Sequence, residues 1–338
     1  MLVPHDAPIV VAATVTYGSR HESCIQTCKA ALAAGADKVV IISNGSSTES
    51  TSALVAFGRT SGCKVVLVDV NEGSAPGFAR AINADLEEGA AYVWLLDDDN
   101  KPEIDALERA GQARADWSLS RGLPEDEIVI ACYRPGDPMQ GRLVTCSEAN
   151  PSSVYNAAGS FLWRNVFRRR PVLGRRGLKG RTQVPSAPYG GLLVPRLVAL
   201  SVAGPRADFV LYQDDTDYTE RIVAEQYNIV LVPDAIVRDI DRGSEDVASG
   251  GGMRKMLIDA GAKPVTSYYM LRNTAVVDTL RASRKRAIPA LVVNATVQLV
   301  LVLAVSMTGR AAFQGGQVVF KALIDALLGN MGRRRDLL

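Results

Sequence analysis

The stretch Lys64–Pro102, KVVLVDVNEGSAPGFARAINADLEEGAAYVWLLDDDNKP, reads as strand, helix, strand and acidic turn. KVVLVDV and AYVWLL are short apolar runs rich in β-branched and aromatic residues, the pattern of strands covered on both faces. Between them, Pro76 to Glu88 has helical periodicity, with its proline in the first turn, where a missing N–H does no harm. The unit continues upstream. IVVAATV (residues 9–15) and KVVIIS (38–43) are two further strands. Ser19 and Glu22 form a capping box that opens a helix ending near Ala34 at Gly35, and Thr48 to Thr60 is another helix. Strand and helix alternate about every thirty residues, which predicts an α/β fold: a mixed, mostly parallel sheet flanked by helices.

Ligands of open α/β sheets bind beyond the carboxyl ends of the strands. Three segments belong there: Thr16-Tyr17-Gly18, Ser43 to Ser46, and Asp97-Asp98-Asp99. Three adjacent carboxylates repel one another, and a divalent cation relieves the repulsion. Side chains alternate along an extended chain, so Asp97 and Asp99 can share a side that Asp98 avoids. Taken alone, the run fits equally well an acidic loop capping the helix after Pro102. With only His5 and His21 as imidazoles, a metal would rest on carboxylates, which favours Mg2+ or Mn2+.

The chain has 338 residues, 47% hydrophobic and 22% charged, enough for a sizeable core and unlike a disordered chain. Its net charge of +2 hides a segregation. No Asp or Glu occurs from Ala149 to Ala207, where arginines recur from Arg164 to Arg206; Asp208, Asp214, Asp215, Asp217 and Glu220 follow. Such an arrangement suits a site handling both an anion and a cation. The arginines of 164–181 fit a solubilising loop or a flap reaching a diphosphate. No helix-turn-helix, RNP or finger pattern is present, and an acidic crevice repels a phosphate backbone, so no nucleic-acid partner is expected. The five cysteines show no CxxC spacing, and the opening MLVPHDAPIV lacks the basic and apolar regions of a signal peptide. A cytoplasmic setting is expected.

Residues 1–240 form the expected catalytic domain. A Gly-rich linker, Ser249 to Gly252, leads into helices from Arg254, so 241–338 form a helical C-terminal region. There Arg281, Arg284, Lys285 and Arg286 precede the apolar stretch from Ile288 to Met307. Pro289, Asn294, Thr296 and Gln298 argue against a bilayer span; contact with the inner face of the cytoplasmic membrane, or packing in a homo-oligomer, is expected instead.

Asn71 to Pro102 resembles family 2 glycosyltransferases, especially the rhamnosyltransferase and galactofuranosyltransferase branch. There an N-x-G-x-x-x-G-[FN]-x-x-[GA] segment leads to a strand ending in D-x-D and then proline. The stretch from Ala187 to Asp239, which begins APYGGLLVP and contains QDDTDY and VPDAIVRD, resembles the family's acceptor-side segment. SYYMLRN (Ser267 to Asn273) and ALLGNMGRR near the end are similar to its tail. The resemblance implies a GT-A fold and inverting transfer of a hexose or deoxyhexose. The donor would be a UDP- or dTDP-sugar, the acceptor a glycan or polyprenyl-diphosphate-linked glycan, with Mn2+ or Mg2+ assisting. It implies donor contacts from Thr16, Tyr17, Ser43, Asn44, Asn71, Gly77, Arg80, Asp97 and Asp98. It implies metal ligation by Asp97, Asp99 and Asp239, and acceptor contacts from Tyr189, Gly190 and Gly191. Asp215 corresponds to the family's base, with Asp214 and Asp217 orienting the acceptor or the base. Two positions depart from the pattern: Ser43 replaces an Asp that contacts the nucleobase, and Asp239 replaces a frequent His. The alternatives are a sugar nucleotidyltransferase, whose G-x-G-T-R-x-x-P signature is here ATVTYGSR, and a non-catalytic carbohydrate-binding or assembly protein. The filled acidic positions argue against the latter.

Overall fold

A computed structural model describes residues 9–145, 180–240, 253–284 and 288–334. The arginines from Arg164 to Lys179, Cys146, the linker Ser249 to Gly252, Lys285, Arg286 and His5 lie outside the described residues.

The first half alternates as its sequence pattern requires. The elements are β1 (Val10–Gly18), α1 (His21–Ala33), β2 (Lys38–Ser46), α2 (Thr48–Ser61), β3 (Lys64–Val68), α3 (Ser74–Glu87) and β4 (Tyr92–Asp97). They are followed by β5 (Asn100–Pro102), α4 (Ala106–Arg121), β6 (Ile128–Tyr133) and α5 (Pro138–Thr145). Beyond the undescribed stretch come β7 (Thr182–Gln183), β8 (Leu192–Pro195), α6 (Arg196–Ser201), α7 (Asp214–Ala224) and β9 (Asn228–Asp239). The strand order is β3-β2-β1-β4-β8-β6-β9-β5, with β7 also on β9. The pairs β1–β2, β2–β3, β1–β4 and β6–β9 are parallel and carry the longer registers. The pairs made by β8, β5 and β7 are antiparallel and short. The fold is therefore a mixed α/β sheet, mostly parallel and flanked by helices.

Alternation along each strand builds two cores. Val11, Ala13 and Val15 face Phe78 and Ile82 of α3, whereas Ala12, Trp94 and Leu96 pack with Cys24 and Cys28 of α1. Both faces are covered, which is why these strands read as unbroken apolar runs. One local expectation changes. Arg20, not Ser19, holds the N-cap position of α1 and makes no side-chain cap bond. β1 runs on through Gly18, so Ser19 points to Ser47 instead (Oγ–Oγ 3.5 Å).

The C-terminal region is helical throughout its described part: α8 (Met253–Ala262), α9 (Pro264–Arg284), α10 (Ile288–Ser306) and α11 (Arg310–Leu328). Leu257, Val302, Val319 and Leu323 form its core. α11 presses so tightly on α8 that a Cβ on Gly315 would lie 1.6 Å from the Leu257 carbonyl oxygen, so only glycine fits there.

Candidate active site

β1, β2 and β4 end side by side, with Val15 opposite Asp97 and Thr16 opposite Ser43. At this edge the acidic run divides. Asp98 is buried and fully engaged: Thr16 Oγ1 donates to it at 2.7 Å, and Arg20 donates through Nε and Nη2 at 2.8 Å each. A bidentate guanidinium pair of this kind is a fixed brace. Arg20 Nη2 also reaches Asp99 at 3.2 Å, and its guanidinium lies 5.7 Å from the Tyr17 ring centroid. Asp98 thus supports the turn at the end of β4.

Asp97 points the other way, toward Arg134. Arg134 Nη1 donates to Asp97 at 3.0 Å and Nη2 to Asp239 at 2.6 Å, and Asn100 Nδ2 adds a bond to Asp239 at 3.1 Å. The guanidinium is buried. Removing one member of a buried ionic set typically costs about 3–5 kcal/mol, because it strands the others. Sequence reasoning missed Arg134; the available signal was its position just after the apolar strand IVIACY, which ends at the same edge. Gly190 explains how the cluster closes. A Cβ there would sit 2.5 Å from Arg134 Nη1 and 2.8 Å from Asp97 Oδ2. Gly191, at φ 89°, holds the turn beside it. Gly190 makes room for the ion pair, and Gly191 for the packing of Cys132 and Val237. Tyr189 is likewise buried, its ring 4.2 Å from that of Phe78.

Several expected donor residues are committed elsewhere. Asn44 donates through Nδ2 to Gly73 O (2.9 Å) and Asn71 Oδ1 (3.3 Å) and accepts from Glu72 N (3.0 Å), so its amide secures the 71–73 loop. Asn71 Oδ1 also accepts from Gly73 N. Gly77 permits close packing of α3 on β1, since a Cβ would lie 2.6 Å from Val15 Cγ1. Arg80 is paired with Glu72 at 2.8 Å, and Ser43 is buried. Tyr17, Asn71 and Arg80 are exposed, and the side chains of Asp97 and Asp99 are partly so, at 35% and 26%.

The second acidic group opens α7. Asp214 is buried and accepts from Ser74 Oγ at 3.1 and 3.2 Å. Asp215 accepts from Thr216 N at 2.7 Å and is half-buried. Burial pushes the Asp215 carboxyl up, the Thr216 N–H partly offsets that, and the charge of Asp97 adds to the rise. Asp214 is raised by burial and by Asp215. The charge of Asp97, at the end of β4, thus acts on Asp215 at the start of α7. Asp217 is buried and accepts from Arg221 Nε at 2.9 Å, while Arg221 Nη2 binds Gly204 O at 2.9 Å, which ties α7 to the loop before it.

For a divalent ion the donor chemistry fits at Asp99. Burial raises its carboxyl, and the charges of Asp97 and Asp98 raise it further, a local excess of hard oxygen donors that a cation would relieve. Among the described residues, no group of three or more His, Cys, Asp or Glu side chains closes on one point. Arg134 stands between Asp97 and Asp239, so these two do not complete a carboxylate triad with Asp99.

No protein-family model and no curated protein matches the chain. Among solved structures it is similar to a mannosyltransferase from Pyrobaculum calidifontis in complex with GDP-Man and Mn2+, at 14% identity and TM-score 0.48, over 96% of this chain and 89% of that one. It is also similar to GalNAc-T7 with UDP, GalNAc and Mn2+ (13%, TM-score 0.46, 80% of this chain and 51% of that one). A third likeness is to residues 1–349 of S. aureus TarS (12%, TM-score 0.45, 95% and 92%).

Proposed function

We propose that this chain is an inverting glycosyltransferase. It would move one hexosyl or deoxyhexosyl unit from a UDP- or dTDP-sugar to a glycan, carried on a polyprenyl diphosphate at the inner face of the cytoplasmic membrane. One observation carries the reading: Asp97 to Asp99 close β4 at the carboxyl edge of the sheet, Asp214-Asp215 open α7 more than a hundred residues later, and the charge of Asp97 nevertheless acts on Asp215. Sugar transfer to a hydroxyl needs charge stabilisation at the departing diphosphate and a base at the attacking oxygen, on opposite sides of the anomeric carbon. Ionised Asp215 takes the acceptor hydroxyl's proton while that oxygen attacks, and the bond from sugar to diphosphate breaks with inversion. A divalent ion held at Asp99 would supply Lewis-acid stabilisation of the diphosphate oxygens. Arg20 and Arg134 fix the carboxylates around it.

The rival reading, a sugar nucleotidyltransferase, attacks with a phosphate oxygen already ionised at neutral pH and needs no carboxylate base. A half-buried Asp215 with a raised carboxyl suits a hydroxyl acceptor better. The products separate the readings. Incubation with UDP- and dTDP-sugars, with and without Mn2+, should release the nucleoside diphosphate. Release of pyrophosphate from a nucleoside triphosphate and sugar phosphate would favour the rival, and release of neither would leave a binding protein.

The membrane part of the reading rests on the outer face of α10 and α11. Val293 and Val300 on one helix, and Phe313, Phe320 and Leu327 on the other, recur every seventh residue and are exposed. From Thr279 to Ile324 the sequence has no Asp or Glu, and its charges are arginines and lysines. An apolar face set among cations matches an anionic leaflet. Arg310–Leu328 is long and apolar enough to cross a bilayer by length and composition, yet one side of it packs on α8.

A further inference from the structure

The motifs SYYMLRN and ALLGNMGRR lie in the helical region, and the chemistry above uses neither. Both nevertheless converge on one short segment, residues 208–213, immediately before Asp214. Within that segment Val210, Tyr212 and Gln213 have φ of 65°, 66° and 62°, a left-handed backbone that non-glycine residues resist. A β-branched valine resists it most. Leu211 N bonds Phe209 O at 2.7 Å across Val210, a γ-turn of the strained hand. Gln213 is the N-cap residue of α7. Strain of this kind persists only where the surroundings over-determine it.

Two fully buried side chains of α9 supply that constraint. Asn273 Nδ2 donates to the carbonyl oxygens of Phe209, Leu211 and Tyr212 at 2.8, 2.8 and 2.9 Å. Arg272 Nη2 donates to those of Asp208 and Phe209 at 3.0 and 3.1 Å, and its Nε fixes Asn273 Oδ1 at 2.9 Å. The tail closes the same knot: Arg272 Nη1 bonds Gly332 O at 2.7 Å, and Gly332 N bonds Asp208 O at 2.8 Å. From the other side, Ala75 N bonds Val210 O at 3.2 Å, and Ser74 Oγ holds Asp214. The turn that presents the two carboxylates is thus clamped between the start of α3 and the Arg272-Asn273 pair.

We infer that Asn273 and Arg272 are positioning residues: the helical C-terminal region holds the strained 209–213 turn and thereby sets where Asp214 and Asp215 stand in the crevice. This rests on the reading of Asp215 as the base. It makes the catalytic domain dependent on the helices for the placement of its base, although neither side chain touches the reacting groups. It also accounts for the two tail motifs as one device.

The test uses the full chain with Asn273→Ala, Arg272→Lys as a milder second variant, and Asp215→Asn in parallel. Hydrogen exchange read by mass spectrometry should rise in peptides covering 208–217 and stay unchanged in β1 and β4. Calorimetric affinity for UDP or dTDP with Mn2+ should stay within about twofold, whereas kcat for the best donor of the panel should fall about 100-fold, the scale of a misplaced catalytic group. Unchanged exchange at 208–217 in both variants, or a loss of nucleotide affinity equal to the loss in kcat, overturns the inference. If Asn273→Ala does not fold, Arg272→Lys is judged by the same two readouts. Should Asp215→Asn keep its turnover, the base assignment is what fails, and the exchange data still decide whether the pair holds the turn.

Discussion

At Asp215 two demands meet: the carboxylate must be ionised to accept a proton, yet burial and Asp97 favour its protonated form. Its carboxyl therefore titrates above the ordinary range, and the base form is lost as pH falls through that raised value. Turnover should show an acid limb at higher pH than a solvent-exposed Asp would give, and because Asp214 is coupled to Asp215 the limb belongs to the pair. Asp215→Asn should displace that limb, since Asp214 alone is left to titrate, and lower turnover by about 100- to 10,000-fold with nucleoside-diphosphate affinity preserved. If calorimetry shows affinity falling by the same factor, Asp215 belongs to donor binding. At this scale the acidic groups were legible in the sequence, because adjacent carboxylates after an apolar strand are costly unless used. The bonds and close packing that Asn44, Gly77, Gly190 and Asp217 make were not, since a linear sequence does not show which partners the fold will bring to them. Arg134 stayed hidden for a related reason: an isolated arginine does not announce which carboxylates the fold will bring to it.

Among the elements, β1 to β4 and their helices were readable because each strand is apolar on both faces and each crossover has helical periodicity. β5, β7, β8 and α6 were harder, being two to six residues long and set by tertiary pairing, with Pro195 and Gly191 the local cues. β9 carries Pro233, and its register on β6 jumps from Val232 to Ile236 around it, a break no period-two pattern anticipates. α3 holds a different conflict. Asp85 is buried, and neither carboxylate oxygen has a hydrogen-bond partner among the described residues. Burial, then the charge of Glu88, raises its carboxyl well above the usual range, with Lys64 opposing. A raised folded-state value means the stabilising contribution is present below the ordinary carboxylate pKa and is lost as pH rises through the folded one. Asp85→Leu should therefore stabilise the fold by about 1–3 kcal/mol at neutral pH, with the gain shrinking on acidification. Thermal melts of the two proteins across pH would check this; parallel curves would show that Asp85 is not a neutral buried acid.

For the whole molecule, the helical region bonds the turn before Asp214 and exposes apolar side chains on α10 and α11, in a stretch of sequence whose only charges are basic. Each basic residue near an anionic surface adds about 1 kcal/mol, and the exposed valines and phenylalanines add to that. The intact chain should float with anionic liposomes at low salt, and the double variant Val293→Glu/Phe320→Glu should remain in the soluble fraction. Equal recovery of both in the soluble fraction, with the intact chain eluting as a dimer, would assign the face to a second copy. The central claim concerns the acidic edge of the sheet, and it is tested most directly by Mn2+-dependent release of nucleoside diphosphate from the UDP- and dTDP-sugar panel, comparing the intact protein with Asp99→Asn. The account predicts that the variant keeps its melting behaviour and loses both the Mn2+ dependence and most of the release; the same Mn2+-dependent rate in both proteins would contradict it.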